Sequence, residues 1–307
     1  SAIGELCDCD IAASDDLTGH ESLGGDWDLE FTVGAIESEI AFSTQLQSTW
    51  HGLLDISSGL LLHSKFDVDA SDSTANNFDG SLTNGASIDN NAGTNQIGTG
   101  KLDLDGLNDY VDLTSHVANF SGLSEGTISA WIKTSDSDGA IFSLNDSGDG
   151  DSGIIFYVWN GKLTFSVVDR GNYSLDVVTN ANIDDNVWHH VAITVDGSGN
   201  KLFIDGVKQN SLTYYDGSAS TQEFFSDVSR LDFMAIGAQN NDSSLANELE
   251  GFLDDVRVYD RGLSSDDISD LFSANSAPVQ SAIEGTNVAY TENDPAIQIT
   301  NAISISD

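Results

Sequence analysis

The stretch Ile154-Ile155-Phe156-Tyr157-Val158-Trp159-Asn160-Gly161-Lys162-Leu163-Thr164-Phe165-Ser166-Val167 decides the fold. Asn-Gly needs little energy to adopt positive φ at two successive positions, which is what the tightest hairpin turn demands. Runs of β-branched and aromatic residues flank it on both sides, so the stretch reads as two antiparallel strands. Alternation along the first strand puts Tyr157 and Trp159 on one face and Phe156 and Val158 on the other. One of those faces must be exposed or line a groove.

The same pattern continues in both directions. Short alternating runs occur at 101–104, 110–113, 127–133, 190–195, 201–204 and 256–259, with Asp79-Gly80 and Asp205-Gly206 among the turns. Many strands at this spacing without intervening helices imply an all-β, two-sheet antiparallel sandwich. One helical turn is expected at 264–272, where Leu263, Ile268 and Leu271 share a face and Ser264 or Ser265 caps the start.

Composition narrows the function. The 307 residues hold 50 acidic and 10 basic side chains, a formal net charge of −40. Such a surface repels phosphates and anionic lipid heads, which argues against nucleic-acid partners, and it suits divalent cations and salty water. No apolar run approaches the roughly 20 residues of a membrane helix, so no membrane insertion is expected. All Lys and Arg lie between Lys65 and Arg261, and both prolines, Pro278 and Pro295, lie beyond them. These shifts divide the chain at 1–55, 56–273 and 274–307. Cys7 and Cys9 are too close for an unstrained internal disulfide and have no second pair to complete a zinc site; free thiols or an intermolecular link are the expectation.

Four motifs in the middle part resemble a known family. Trp188-His189-His190-Val191-Ala192-Ile193-Thr194-Val195-Asp196, with Lys201-Leu202-Phe203-Ile204-Asp205-Gly206, is similar to the signature of LamG-like (laminin G type 3) jelly rolls of the concanavalin A-like lectin/glucanase type. Asp105-Gly106-Leu107-Asn108-Asp109-Tyr110-Val111, Thr127-Ile128-Ser129-Ala130-Trp131-Ile132-Lys133 and Gly251-Phe252-Leu253-Asp254-Asp255-Val256-Arg257-Val258-Tyr259 resemble further strands of that family, in family order. The flanks resemble fragments. Residues 10–30 are similar to the end of a domain of unknown function found at the start of giant bacterial surface proteins. The tail around Val288–Ala296 resembles the opening of a cadherin-like repeat of bacterial adhesins. The resemblance implies a secreted or cell-surface location and an adhesion or binding module. Its partner would be a glycan or another surface protein. A structural subunit that self-associates through its incomplete flanking strands is the competing reading.

The resemblance also implies calcium, held in such jelly rolls by an Asp of the last strand and groups near the first. Asp254 matches best. Strand parity with Val256 and Val258 points it inward, where a lone carboxylate is costly. Asp67 and the Gly100 carbonyl are the expected co-ligands; the alternative is that Asp254 pairs with Arg257 or caps backbone amides. A second candidate, Asp146, Asp149 and Asp151, lies in an oxygen-rich loop that reads equally as a solvated hairpin turn. The loop with Asp72, Asn76, Asn77 and Asp79 is similar in kind. For a sugar ring, Tyr157, Trp159, Tyr173, Tyr214 and Tyr215 are the stacking candidates, against the plainer role of covering the sheet. Trp131 and Trp188 belong to family motifs and are assigned to packing.

No catalytic residues are expected. Gly150-Asp151-Ser152-Gly153 spells a serine-protease motif without its His or Asp context. Jelly-roll glycosidases carry two glutamates at i and i+4 around an Asp, whereas Glu248-Leu249-Glu250-Gly251 has them at i and i+2. His189 and His190 are read as strand residues, one facing the core and one the surface.

Overall fold

The computed structural model describes residues 11–13, 31–33, 57–91, 94–148, 151–241 and 244–273. Cys7, Cys9, Asp149 and the tail beyond residue 273 lie outside these. In the N-terminal flank, β1 (Ile11–Ala13) pairs antiparallel with β2 (Phe31–Val33).

The remaining strands build two antiparallel sheets. The first runs β16 (Leu212–Asp216), β12 (Asn172–Asn182), β11 (Lys162–Asp169), β10 (Gly153–Trp159), β9 (Asp138–Asn145), β17 (Phe233–Ile236), β7 (Tyr110–Asp112), β4 (Ser81–Thr83). The second runs β15 (Val207–Lys208), β14 (Gly199–Ile204), β13 (His189–Asp196), β8 (Gly126–Lys133), β20 (Glu250–Tyr259), β6 (Leu102–Asp105), β5 (Ser87–Ile88), with β3 (Leu60–Ser64) also paired to β20. A small hairpin, β18 (Gln239–Asn241) and β19 (Ser244–Ala246), forms a two-stranded sheet of its own. The architecture is the expected all-β jelly-roll sandwich.

Turn chemistry explains the hairpins. Asn160 and Gly161 take φ of 50° and 75°, and Trp159 pairs with Lys162 across them. Asp205 and Gly206 close the β14–β15 hairpin in the same way, at 52° and 74°. Arg170-Gly171 forms a third such turn between β11 and β12, at 51° and 74°, without the Asn or Asp that would announce it.

The core lies between the sheets. Ile154, Phe156 and Val158 of β10 and Leu163, Phe165 and Val167 of β11 meet Ile128, Ala130, Ile132, Val191, Ile193 and Val195 of the second sheet. Phe224 and Phe225, stacked at 4.2 Å, bridge to Phe165 and Phe142. A separate apolar layer covers the outer face of the second sheet. There α2 (Ser265–Ser273), the second helix after the four-residue α1 (Val117–Phe120), sets Ile268 and Leu271 against Ala192, Phe203, Tyr259 and Leu263.

Candidate functional site

The outer face of the first sheet carries an aromatic cluster. Ile154, Phe156 and Val158 enter the core, so Tyr157 and Trp159 point outward, as their alternation requires. Trp159 of β10 and Tyr215 of β16 are separated by two intervening strands, yet their rings meet edge to face at 5.8 Å. They arch over β11 and β12. Beneath them Thr164, Ser166 and Val178, all on the outward face, are at most 4% exposed. The aromatics therefore cover the sheet and also present rings to solvent: Trp159 is 38% exposed, Tyr173 53% and Tyr215 59%.

A polar chain runs below the rings. The Ser166 hydroxyl donates to Asp176 Oδ1 at 2.8 Å and lies 3.2 Å from the Tyr157 hydroxyl. Burial pushes the Tyr157 phenol up to about 12, so it stays a neutral hydrogen-bonding group. Desolvation also raises Asp176. Of the five expected stacking residues, Tyr157, Trp159, Tyr173 and Tyr215 share this face. Tyr214 does not. It packs against the core, and its hydroxyl donates to Asn200 Oδ1 at 3.0 Å. Tyr214 pairs with the core residue Val177 and so shares its inward face, while Tyr215, next along the strand, points outward.

Asp254 departs from simple alternation. Leu253, Val256 and Val258 all enter the core. Asp255 takes φ of 51°, and the register of β20 against β8 shifts between Asp254 and Arg257. This bulge turns Asp254 away from the side of Val256 and Val258 and sets it opposite Trp131, on the outer face of the second sheet. Its carboxyl is fully buried. Oδ2 accepts the Gln96 and Ile97 backbone N–H groups at 3.1 and 2.9 Å, while Oδ1 has no hydrogen-bond partner. Burial pushes it up to about 7, against the pull of the Ile97 amide. Arg257, the alternative partner, is engaged elsewhere: it pairs with Asp255 at 3.0 Å, and Asp255 also meets His63.

Asp67 accepts the N–H and hydroxyl of Thr99. Asp254 and Asp67 thus hold one loop, 96–99, and Gly100 ends it. A Cβ at Gly100 would strike the Phe66 and Asp67 carbonyl oxygens and Asn90 Oδ1. The uncommitted Oδ1 of Asp254 is a hard-oxygen donor of the kind calcium takes, and the Phe66 and Asp67 carbonyls lie at the Gly100 end of the same loop. Among the described residues no three His, Cys, Asp or Glu side chains are placed to hold a metal ion together, so such a set would be rich in carbonyl oxygens.

Asp254, Trp131 and His190 form one cross-strand row on β20, β8 and β13. Each has a buried polar atom without a partner: Oδ1, Nε1 and Nδ1 respectively. A pocket of about 290 Å³, lined by Gln96, Trp131, Trp188, Asp205 and Phe272, adjoins this row. Trp131 is buried as expected, but in this outer layer, with its ring stacked on Phe272 at 5.5 Å. Trp188 donates to the Thr94 carbonyl at 3.3 Å. His190 is the buried member of its pair and also faces this layer, whereas His189 lies beside Asp205 and Asp185.

The other oxygen-rich loops satisfy themselves. Asp146 Oδ1 accepts the Gly148 N–H at 2.8 Å, Asp151 is exposed, and Asp72 takes the amides of His63, Thr74 and Phe78. Ser152 is 2% exposed, and its hydroxyl accepts the Arg170 N–H. That is a turn-bracing role.

A two-sheet jelly roll with an aromatic outer face defines a lectin-like β-sandwich. The match to the laminin G type 3 family of the concanavalin A-like lectin/glucanases superfamily spans residues 105–269, more than half of the chain, and the chain belongs to that family. Residues 1–54 match a domain of unknown function, DUF4347. No curated protein matches the chain. Among solved structures the chain is similar to domain 4 of AbnA, a GH43 extracellular arabinanase from Geobacillus stearothermophilus, in complex with arabinotriose. Identity there is 22%, covering 69% of this chain and 97% of that one, with a TM-score of 0.50. The binding domain of Paraclostridial Mosquitocidal Protein 1 is 17% identical over 73% of this chain and 54% of that one, TM-score 0.51. The CBM40 of Ruminococcus gnavus IT-sialidase is 21% identical over 56% and 95%, TM-score 0.48. For the arabinanase domain and the mosquitocidal-protein domain the likeness, at these identities, is one of fold.

Proposed function

We propose that this chain is a non-catalytic extracellular binding module of a large bacterial surface protein, and that it holds glycans on the outer face of its first sheet. The observation that carries the reading is the Trp159–Tyr215 arch, two exposed rings on a face that also carries the exposed Tyr173 and the Ser166–Asp176 hydroxyl and carboxylate pair. Sugar rings offer an apolar C–H face and a rim of hydroxyls, and such a surface matches both. Calcium serves as a structural ion, with Asp254, Asp67 and the Gly100 carbonyl as the residues that would hold it. There it would supply the positive charge that the buried Asp254 carboxylate lacks. The non-catalytic reading rests on the motifs: Glu248 and Glu250 stand at i and i+2 with Leu249, not an Asp, between them, and Ser152 is held in a turn by the Arg170 N–H.

A glycan array probed with the full chain tests the reading, with arabinotriose included because a domain of similar fold was solved with it. Binding is expected, and Trp159→Ala should lower it at least about tenfold, the equivalent of about 1.4 kcal/mol, while the variant still unfolds in one cooperative transition well above the assay temperature. Silence across the array, or full binding by the Trp159→Ala variant, would overturn it.

A further inference from the structure

The charges around the aromatic face carry a statement about which glycans it takes. Trp159 stands between two charged cross-strand neighbours, Asp138 of β9 on one side and Lys162 of β11 on the other. Asp176 of β12 pairs across to Asp216 of β16, next to Tyr215. Asp138 and Asp216 are exposed, and Asp176 is half-buried under the tyrosines. Among the residues of β9, β10, β11, β12 and β16, Lys162 is the only cation, against Asp138, Asp169, Asp176 and Asp216. Asp169 turns away from the cluster to the Ser229 amide and hydroxyl. From these strands three carboxylates and one ammonium therefore face the rings; Arg170 of the β11–β12 turn is a further cation at the Tyr173 end.

We infer that the site selects neutral glycans and rejects sialylated, sulfated and uronic-acid ones. This rests on the glycan-binding reading above and deepens it.

A carboxylate has only acceptors to offer. A neutral sugar meets it with hydroxyl donors and gains charge-assisted hydrogen bonds. A sialic acid or sulfate also brings its own anion into a site that already holds three. Like charges so placed repel, and discrimination by repulsion needs no clash of shape. Lys162 can neutralise one charge. The rest of the chain does not help, since its net charge of −40 makes the long-range field hostile to anionic ligands. Anionic glycans should thus be disfavoured on approach as well as in contact, and most strongly at low salt.

The experiment compares neutral oligosaccharides with their sialylated or sulfated counterparts on one array. The best neutral binder and its sialylated form are then measured by calorimetry at low and high salt. The expected result is binding of neutral glycans and at least about tenfold weaker binding of the sialylated forms at low salt, with the gap narrowing as salt rises. The double variant Asp138→Asn/Asp216→Asn, which leaves the rings and Asp176 in place, should narrow the gap severalfold. Anionic glycans bound as well as neutral ones would overturn the selectivity while leaving the glycan reading intact. A gap unchanged by salt and by the double variant would overturn its electrostatic cause. Silence of all glycans would overturn the reading itself, and the selectivity with it.

Discussion

Asp254 and His190 sit two strands apart in one row and titrate in opposite senses. Burial raises Asp254 to about 7, so the folded chain holds that proton more tightly than the unfolded chain does. Its contribution to stability is present at low pH and is lost as pH rises from about 4 to about 7. Burial beneath Trp131 and Phe272 lowers His190 to about 4. Its contribution is present above the unfolded value and is lost as pH falls from about 6.5 to about 4. Each is worth at most roughly 3 to 4 kcal/mol at its limit, and across most of that window they cancel. In metal-free buffer Asp254→Asn should therefore gain a rise of melting temperature with pH between about 4 and 6.5 that the parent chain lacks, and should be the more stable of the two above pH 7. At matched ionic strength, calcium should raise the melting midpoint of the parent more than that of Asp254→Asn, because a ligand confined to the native state must stabilise it. A parent midpoint that is the same in calcium and in EDTA would remove calcium from this site.

Among elements, α2 shows local and non-local causes acting together. The Ser264 hydroxyl accepts the Asp267 N–H at 3.1 Å, while Asp267 Oδ2 accepts the Ser264 N–H at 2.9 Å. This reciprocal cap starts the helix and can be read directly from Ser-Ser-Asp-Asp. What holds the helix in place is the layer it covers: Ile268 and Leu271 are buried against Tyr259 and Phe203, and Phe272 lies on Trp131. Ser264→Ala should cost about 1 kcal/mol and Leu271→Ala about 2 to 5 kcal/mol in denaturant unfolding. A Leu271→Ala loss below that of the cap variant would mean that α2 unfolds separately from the sandwich. The strands differ in how openly the chain displays them. β10 and β11 alternate between a core face and an aromatic face, and their hairpin is evident. In β9, by contrast, seven of the eight residues are buried, which removes the alternation. β12 carries four asparagines or aspartates among its eleven residues, and its strand character comes from its place between β11 and β16.

At the scale of the molecule, charge is the dominant fact. A net charge of −40 on 307 residues makes self-repulsion a standing cost of the compact state, and salt relieves it. The melting temperature in metal-free buffer should rise steadily as sodium chloride increases toward about 1 M, where the screening length is about 3 Å. A flat or falling response would show that self-repulsion is already offset locally, by hydrogen bonds of the kind Asp72 and Asp146 accept. The sequence by itself determined the sandwich class, the Asn160-Gly161 and Asp205-Gly206 hairpins, the helix with its cap, and the shared face of Tyr157 and Trp159. All of these follow from turn conformation, alternation and capping, which act over a few residues. Only the tertiary structure decided that a bulge at Asp255 turns Asp254 to the outer face and gives Arg257 to Asp255, and that Tyr214 faces the core. It also decided that Trp159 reaches over two strands to Tyr215. Each of these depends on strand register, and register is set by neighbours distant in the chain.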